Sequence, residues 1–243
     1  MGSQSTPDDT FDFSTSWAAN ETDIAPGRSA ALDLVKWVAL VAMTLDHLRF
    51  VWPVLEPLTL AGRFAFPAFA ATMAMHAMRQ GTPGRSTWRQ LALLVGATVI
   101  SQWPYHALTG HDQGNIMATL TCALVVLAGV RMPGWKGTAL ATAGVALPIW
   151  VPLEYGLLGV LLPSAFLFAL SGTWRRWMLP VLIATIVNAS TPARAAMGGA
   201  AAVACCIFLS AKLTLKAPPV HRWAYAYYPA HMAMLAMLAL LIP

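Results

Sequence analysis

Residues 32–49 of the chain read LDLVKWVALVAMTLDHLR. This stretch is apolar over a length close to the roughly 20 residues that an α-helix needs to cross a bilayer. Ionisable side chains nevertheless interrupt it at Lys36, Asp46 and His47. Such groups are costly inside a membrane, so an ionisable residue within a span is a candidate functional residue. The stretch therefore predicts a membrane-spanning helix that also carries functional chemistry.

The composition of the whole chain agrees with a membrane protein. Of the 243 residues, 58% are hydrophobic and only 10% are charged, whereas a soluble domain carries about 25% charged residues. Such a chain cannot cover a water-facing surface with polar groups. This excludes an ordinary soluble enzyme and a nucleic-acid-binding module, and we expect no nucleic-acid partner. Cys122, Cys205 and Cys206 lie in apolar runs without metal-ligand spacing, so we expect neither disulfides nor a metal site.

Nine apolar stretches are long enough to span a membrane. They cover residues 31–52, 58–79, 88–108, 115–131, 136–152, 155–171, 174–190, 195–212 and 222–242. The fifth, sixth and seventh are short and closely spaced, so eight or even seven spans stay open. Because open strand edges cannot face lipid, the spans must be helices. The predicted fold is therefore an all-α, polytopic integral membrane bundle of about nine helices.

The distribution of cations predicts how the bundle is oriented. Of the 15 Lys and Arg residues, 12 fall on alternate connections, and Arg49, Arg63 and Arg194 fall on the other side. By the positive-inside rule the N-terminus is cytoplasmic, and nine spans place the C-terminus outside. Residues 1–28 form an acidic cytoplasmic tail of net charge −4, which we expect to be disordered. Residues 29–243 form the membrane domain.

Lys36 and His47 lie on one face of the predicted first span. They are 11 residues apart, which is about three helical turns plus 20° and about 16 Å along the axis. Lys36 would lie near the cytoplasmic entrance and His47 in the outer half of the membrane. In the alternative interpretation, Lys36 snorkels to the interface and His47 is a hydrogen-bonded packing residue.

The second span contains LAGRFAFP, residues 60–67, and runs from outside to inside. Arg63 therefore lies at a depth close to that of Asp46 and His47. We expect an ion pair between Asp46 and Arg63, which could be structural or could accompany a catalytic role. Asp46 and Arg49 are three residues apart on one helix and could pair as well.

Further polar groups occur on the outer side of the predicted bundle. Asn115 opens the fourth span and Tyr155 the sixth, while Tyr228 and His231 lie in the ninth. For each residue alone, local hydrogen bonding or interfacial anchoring is a sufficient explanation. Together they predict a polar cavity that joins the first span to the second, fourth, sixth and ninth and that these four side chains line.

Short blocks around these residues resemble the TraX family, the membrane proteins of conjugative plasmids that N-acetylate pilin. The blocks are VALVAMTLDH at 38–47, LAGRFAFP at 60–67, GNI at 114–116, YG at 155–156 and YYPAH at 227–231. They occur in the order of the family and cover most of residues 30–240. The family in turn resembles the broad class of multispan membrane acyltransferases that use cytoplasmic acetyl-CoA. That class has a basic residue, ten intervening residues and a histidine in its first span, as at Lys36 and His47, and an arginine in the next, as at Arg63.

The resemblance implies an enzyme of the bacterial inner membrane that transfers an acetyl group from acetyl-CoA to the N-terminal amine of a pilin subunit in the membrane. In that reaction His47 would act as general base, Arg63 would face the oxyanion or position the thioester, and Asp46 would orient Arg63. The phosphates of CoA would be bound by cations of the inner side, which are Lys36, Arg79 and Arg222. No metal is implied.

Two other functions stay open. With the same donor chemistry, the acceptor could be an envelope glycan, which would make the protein an O-acyltransferase. Alternatively, Asp46, His47 and Arg63 could form a proton relay or a structural pair in a transporter or a pilus-assembly scaffold that is not an enzyme. The sequence favours no particular acceptor, acyl chain length or oligomeric state, and it does not distinguish direct transfer from an acetyl-histidine intermediate.

Overall fold

The structure, a computed structural model, describes residues 30–211 and 217–241, and nearly all of them are helical. The α-helices are α1 (Ala30–Leu48), α2 (Thr59–Gly62), α3 (Ala65–Gln80), α4 (Arg85–Thr109), α5 (Ile116–Gly129), α6 (Trp135–Trp150), α7 (Gly156–Leu170), α8 (Met178–Val187), α9 (Pro192–Ser210) and α10 (Trp223–Leu241). Two 3₁₀ helices, Pro53–Leu58 and Trp174–Trp177, precede α2 and α8. Within the described residues no strand forms, and a single bridge joins Gly114 to Leu153. The prediction of an all-α fold is thus confirmed.

Apart from the single-turn α2, each described helix corresponds to one of the nine predicted apolar stretches, in the same order. The predicted acidic tail, residues 1–28, lies outside the described residues, as do Lys212 and Lys216. The correspondence supports the division of the chain into helical segments, because the gaps between helices coincide with the gaps between the predicted stretches.

The long helices alternate in direction, which gives the bundle two ends. We call them the Lys36 end and the His47 end, after two residues of α1. Helix α3 is antiparallel to α1: Lys36 Nζ lies 3.2 Å from His76 Nε2 near the end of α3. At the opposite end, Asp46 Oδ2 accepts a hydrogen bond of 3.0 Å from Arg63 Nη2, just before α3 begins.

The last two helices follow the same alternation. Helix α9 begins at the His47 end, because Arg194 in its first turn pairs with Glu56 in the 3₁₀ helix that follows α1. Helix α10 begins at the Lys36 end, because the Val220 N–H donates to the Asp33 carboxylate at 3.2 Å. The start of α1 and the end of α10 therefore lie at opposite ends of the bundle.

Among the described residues, three segments are long and apolar enough to cross a membrane, namely Pro53–Gln80, Pro192–Ser210 and Trp223–Leu241. They indicate a membrane protein but are fewer than the nine predicted spans. The shortfall has physical reasons. Helices α5 and α7 are apolar but have 14 and 15 residues, about 21–23 Å of helix against about 30 Å of hydrocarbon. Helix α8 has 10 residues, and α1 carries three charged side chains.

The outward faces of the bundle are apolar. On α4, the side chains of Val99, Ile100 and Trp103 are 68–74% exposed. A contiguous surface of large aliphatic and aromatic groups is unfavourable in water and is covered when lipid surrounds it. The bundle therefore has the surface of a protein that is surrounded by lipid.

Helix α3 occupies the interior of the bundle, where it packs against α1, α7 and α9. Its buried residues include four fully buried alanines, which are Ala68, Ala70, Ala71 and Ala74. Small side chains allow helices to approach closely in a membrane. The helix thus holds Arg63 at one end of the bundle and His76 at the other, both against α1.

Candidate active site

An ion-pair cluster lies at the His47 end, where α1 meets the start of α3. Asp46 accepts a hydrogen bond from Arg63 at 3.0 Å and forms a second ion pair with Arg49 Nε at 3.4 Å. Both pairs are those that the sequence predicts. Arg63 Nε also donates to the Thr59 carbonyl at 3.2 Å. Gly62 makes this approach possible, because a Cβ at that position would collide with the Asp46 side chain.

His47 is hydrogen-bonded to a second histidine, His231 of α10. The His47 Nδ1 and His231 Nε2 atoms are 2.8 Å apart, and the two rings are stacked with centroids 5.0 Å apart. Both side chains are buried, with 7% and 4% exposure. The sequence indicates each histidine as a candidate but does not predict the contact between them, because no local pattern relates residues on the first and last helices.

Two tyrosines of α10 enclose the histidine pair. Tyr227 stacks on His231 with ring centroids 5.2 Å apart, and its hydroxyl lies 2.7 Å from Thr44 Oγ1. Tyr228 stands edge-on to both imidazoles, 6.0 Å from His47 and 5.4 Å from His231. Within the described residues the buried Tyr228 hydroxyl has no hydrogen-bond partner. It is therefore a polar group that a bound molecule could satisfy.

Glu154, in the loop between α6 and α7, is a further ionisable group near the cluster. Its Oε2 atom is buried without a hydrogen-bond partner among the described residues. Burial, and secondarily the neighbouring Asp46 carboxylate, raises the pKa of Glu154 to about 7 against the opposing effect of Arg63. A carboxyl group that titrates near neutral pH can accept or donate a proton in a reaction. The sequence pattern alone predicts no role for Glu154.

Asn115 and Tyr155 are placed differently from the sequence-based expectation. The Asn115 side chain caps α5, accepting from the N–H groups of Met117 and Ala118 at 2.9 and 3.2 Å. Its amide also donates to Gln102 at 2.9 Å, so its hydrogen-bonding capacity is used within the fold. Tyr155 stacks on Phe66 of α3, with ring centroids 3.9 Å apart. Neither side chain lines the cavity described next.

A cavity of about 340 Å³ runs from the Lys36 end toward the histidine pair. Its walls come from α1, α3, α4, α5 and α10, so the third predicted span takes the place expected for the sixth. Helix α7 does not line the cavity, because it packs behind α3, where the Tyr155 ring stacks on Phe66. At the Lys36 end the cavity is polar, and the residues there are Lys36, His76, Gln80, Ser86, Arg89, Gln90, His221 and Arg222.

The inner part of the cavity is apolar. It is lined by Leu40, Met43, Met73, Leu94, Met117, Leu120 and Tyr228. Tyr228 both lines the cavity and contacts the histidine pair. His47 and His231 thus lie directly behind the Tyr228 ring, one side chain beyond the inner end of the cavity.

The sequence predicts that Lys36, Arg79 and Arg222 bind the phosphates of the ligand, and two of these three residues line the mouth of this cavity. Lys36 and Arg222 line it. Arg79 is not among the lining residues, but it lies within electrostatic range of Lys36 and His76. His76, which the sequence analysis did not select, contacts Lys36 from the end of α3. The mouth is therefore a cationic, hydrogen-bonding surface that leads to an apolar interior.

Comparison with known proteins gives this arrangement a family. The family model described as TraX protein matches residues 31–239. Protein TraX of Escherichia coli strain K12 is 30% identical over 229 residues, which cover 89% of each chain. Another Protein TraX of Escherichia coli is 31% identical over 144 residues, 57% of this chain and 54% of that protein. No solved structure matches the chain. Because the family model matches most of the chain, including every residue of the site described above, the chain belongs to the TraX family.

Proposed function

We propose that this protein is a membrane-bound acetyltransferase that transfers an acetyl group from acetyl-CoA to the N-terminal amine of a conjugative pilin subunit. The observation that carries the proposal is the cavity, which leads from a cationic mouth at Lys36 through an apolar channel to Tyr228, whose ring packs against the buried His47–His231 pair. Such a shape suits a donor with an anionic head, a long neutral arm and a reactive group at its tip.

The cavity matches the parts of acetyl-CoA in order. The nucleotide phosphates would lie at the mouth, against Lys36, Arg89 and Arg222. The pantetheine arm would extend along the face of α1 that carries Leu40 and Met43. This face leads from Lys36 to His47 over about 16 Å, so the thioester would arrive beside Tyr228 and the histidine pair.

The chemistry needs a neutral amine, a nearby base and a donor that stabilises the oxyanion. A terminal α-amine has a pKa of about 7.7–8.0, so part of it is neutral at physiological pH. Its nitrogen would attack the thioester carbonyl carbon while His47 accepts the proton that the nitrogen loses. As the tetrahedral intermediate collapses, the C–S bond breaks and CoA leaves as a thiolate, which takes up a proton. Arg63, held by Asp46 and Thr59, would stabilise the oxyanion.

The proposed orientation is nine spans in the bacterial inner membrane, with the N-terminus in the cytoplasm. Its support is the pairing of charges at the two ends. The three arginines of the predicted outer side, Arg49, Arg63 and Arg194, are all ion-paired to Asp46 or Glu56 at the His47 end. The Lys36 end carries the cationic excess, as the positive-inside rule requires of a cytoplasmic face. The cavity would then open toward the compartment that supplies acetyl-CoA.

Purified protein in lipid nanodiscs, supplied with acetyl-CoA and three acceptors, tests this function. The acceptors are a pilin N-terminal peptide, the same peptide with a blocked α-amine, and an envelope glycan. We expect mass spectrometry to find acetyl groups only on the peptide with the free amine. Transfer to the glycan instead would identify an O-acyltransferase. No transfer to any of the three would favour the scaffold or transporter alternative.

A further inference from the structure

We infer that His231 is a positioning residue that fixes the tautomer of His47, so that His47 carries its proton on Nδ1 and presents an unprotonated Nε2 as its basic atom. The role of that atom in catalysis rests on the proposed acetyltransferase function. The hydrogen-bond arrangement itself does not, and it can be measured without any substrate.

The Tyr227 carbonyl can only accept a hydrogen bond. His231 Nδ1 lies 3.1 Å from this oxygen. For the two atoms to be hydrogen-bonded, Nδ1 must carry a proton and donate it. The proton of His231 is thereby placed on Nδ1.

A neutral imidazole has one N–H and one acceptor nitrogen. With its proton on Nδ1, His231 has an acceptor at Nε2. That nitrogen lies 2.8 Å from His47 Nδ1, which must therefore be the donor. His47 then has its only proton on Nδ1, and its Nε2 is left as an unprotonated base.

A doubly protonated His231 would reverse this conclusion, because its Nε2 would then donate to His47. Within the described residues, no carboxylate is hydrogen-bonded to either ring. Asp46, adjacent to His47 in sequence, is already paired with Arg49 and Arg63. A second proton would thus leave a charge without a counter-ion in an apolar interior, which is strongly unfavourable.

The surroundings of His231 hold its ring in place. Tyr227 stacks on one face with ring planes 18° apart, and the Tyr227 hydroxyl is itself tied to Thr44. Tyr228 closes the edge of the ring at 5.4 Å. This packing keeps Nδ1 toward the Tyr227 carbonyl and Nε2 toward His47, as a partner that orients a base must do.

Histidine ¹⁵N NMR of the whole protein in nanodiscs tests the hydrogen-bond arrangement. Protonated and unprotonated ring nitrogens have distinct ¹⁵N shifts, and a His47→Gln sample assigns the His47 signals. We expect His47 in the wild type to be protonated on Nδ1 and unprotonated on Nε2. His231→Gln should preserve this tautomer, because the glutamine amide oxygen can accept from His47 Nδ1. His231→Leu, which has no acceptor, should give a mixture of tautomers. A wild-type His47 protonated on Nε2 would overturn the inference.

Acetylation assays of the same variants test the positioning role. At equal amounts of folded protein, His231→Leu should lower kcat on the order of 10²-fold or more, as the loss of an oriented base does. His231→Gln should remain within about tenfold of the wild type, and the KM for acetyl-CoA should be unchanged in both. An equal loss of kcat in the two variants would contradict the role. If the wild type has the expected tautomer but acetylates nothing, the proposed function fails while the tautomer assignment stands.

Discussion

Lys36 Nζ on α1 lies 3.2 Å from His76 Nε2 on α3, at the mouth of the cavity. A lysine ammonium can only donate, so His76 accepts this hydrogen bond through Nε2 and carries its own proton on Nδ1. Lys36 also pairs with Asp33 at 3.7 Å. Two partners from two helices thus hold the ammonium group in the wall of the cavity, which removes much of the conformational entropy that a flexible lysine would lose on binding an anion.

Lys36→Met, which keeps a flexible apolar stem and removes the charge, tests whether this ammonium binds phosphate. We expect the KM for acetyl-CoA to rise about 10–100-fold with little change in kcat, because a hydrogen bond to a charged group contributes about 1.5–3 kcal/mol. With S-acetylpantetheine, a donor without the nucleotide phosphates, the variant and the wild type should have the same KM. Lys136→Met, at the exposed start of α6, is the matched control. An equal loss with both donors would show a structural role.

His47→Ala should abolish acetylation while the protein remains folded in the membrane. His47 is the proposed base, and removing a general base slows a reaction by about 10²–10⁴-fold. Turnover of acetyl-CoA with a pilin N-terminal peptide measures the loss. His111→Ala, in the exposed loop after α4, is the control and should retain full activity. Near-normal turnover by His47→Ala would refute the catalytic assignment and leave Tyr228 with His231 as the next candidates.

Gly62→Ala should disrupt the Asp46–Arg63 pair without removing either charge. A methyl group at position 62 would occupy the space of the Asp46 side chain, and overpacking of this kind costs about 1–3 kcal/mol. We expect a lower Tm in detergent and a loss of acetylation. Gly96→Ala on α4, where a Cβ meets no atom within 4 Å, should leave both unchanged. If the two variants behave alike, the close approach at Gly62 does not matter for the site.

The parts of the site that the sequence predicts are those that depend on neighbouring segments. Asp46 and Arg49 pair because they are three residues apart on one helix, and Arg63 reaches Asp46 because consecutive antiparallel spans place both at one depth. The contact between His47 and His231 could not be predicted in this way. It depends on α10 lying beside α1, and this arrangement arises from the packing of the whole bundle.

Asn115 shows a different limit of sequence reasoning. Its depth in the membrane suggested a cavity-lining residue, but depth does not determine the direction of a side chain, which turns by about 100° per residue around a helix. An asparagine directly before an apolar helix is also a strong N-cap signal. Asn115 has this N-cap role in the structure, where its side chain accepts hydrogen bonds from two backbone N–H groups of α5.

The proposed topology predicts that the two ends of α4 lie on opposite sides of the membrane. Gly84 precedes the helix at the Lys36 end and Gly110 follows it at the His47 end. A reporter fused after Gly84 should therefore be active in the cytoplasm, and one fused after Gly110 should be active outside. Fusions that report the same side would refute the nine-span topology, because α4 would not cross the membrane.

Glu154→Gln should make the protein more stable at alkaline pH. Burial raises the pKa of Glu154 to about 7 in the folded protein, from 4.5 for an ordinary glutamate. Between these two values the unfolded chain has lost the proton and the folded chain keeps it, so stability falls as pH rises from about 4.5 through 7. Glutamine removes this ionisation. We expect the Tm of the variant to exceed that of the wild type at pH 8 and the difference to shrink toward pH 5.

Glu56→Gln is the matched control for this pH dependence, because the fold favours the ionised form of Glu56 and the protonated form of Glu154. Glu56 is half exposed and paired with Arg49 and Arg194, two cations that favour its charged carboxylate. Its ionised form is therefore the one that the fold favours. The substitution should not raise the Tm at pH 8, and because exposed pairs contribute at most about 1 kcal/mol, any decrease should be small. An equal gain in Tm at pH 8 for both variants would mean that the effect comes from net charge and not from the buried Glu154 carboxyl.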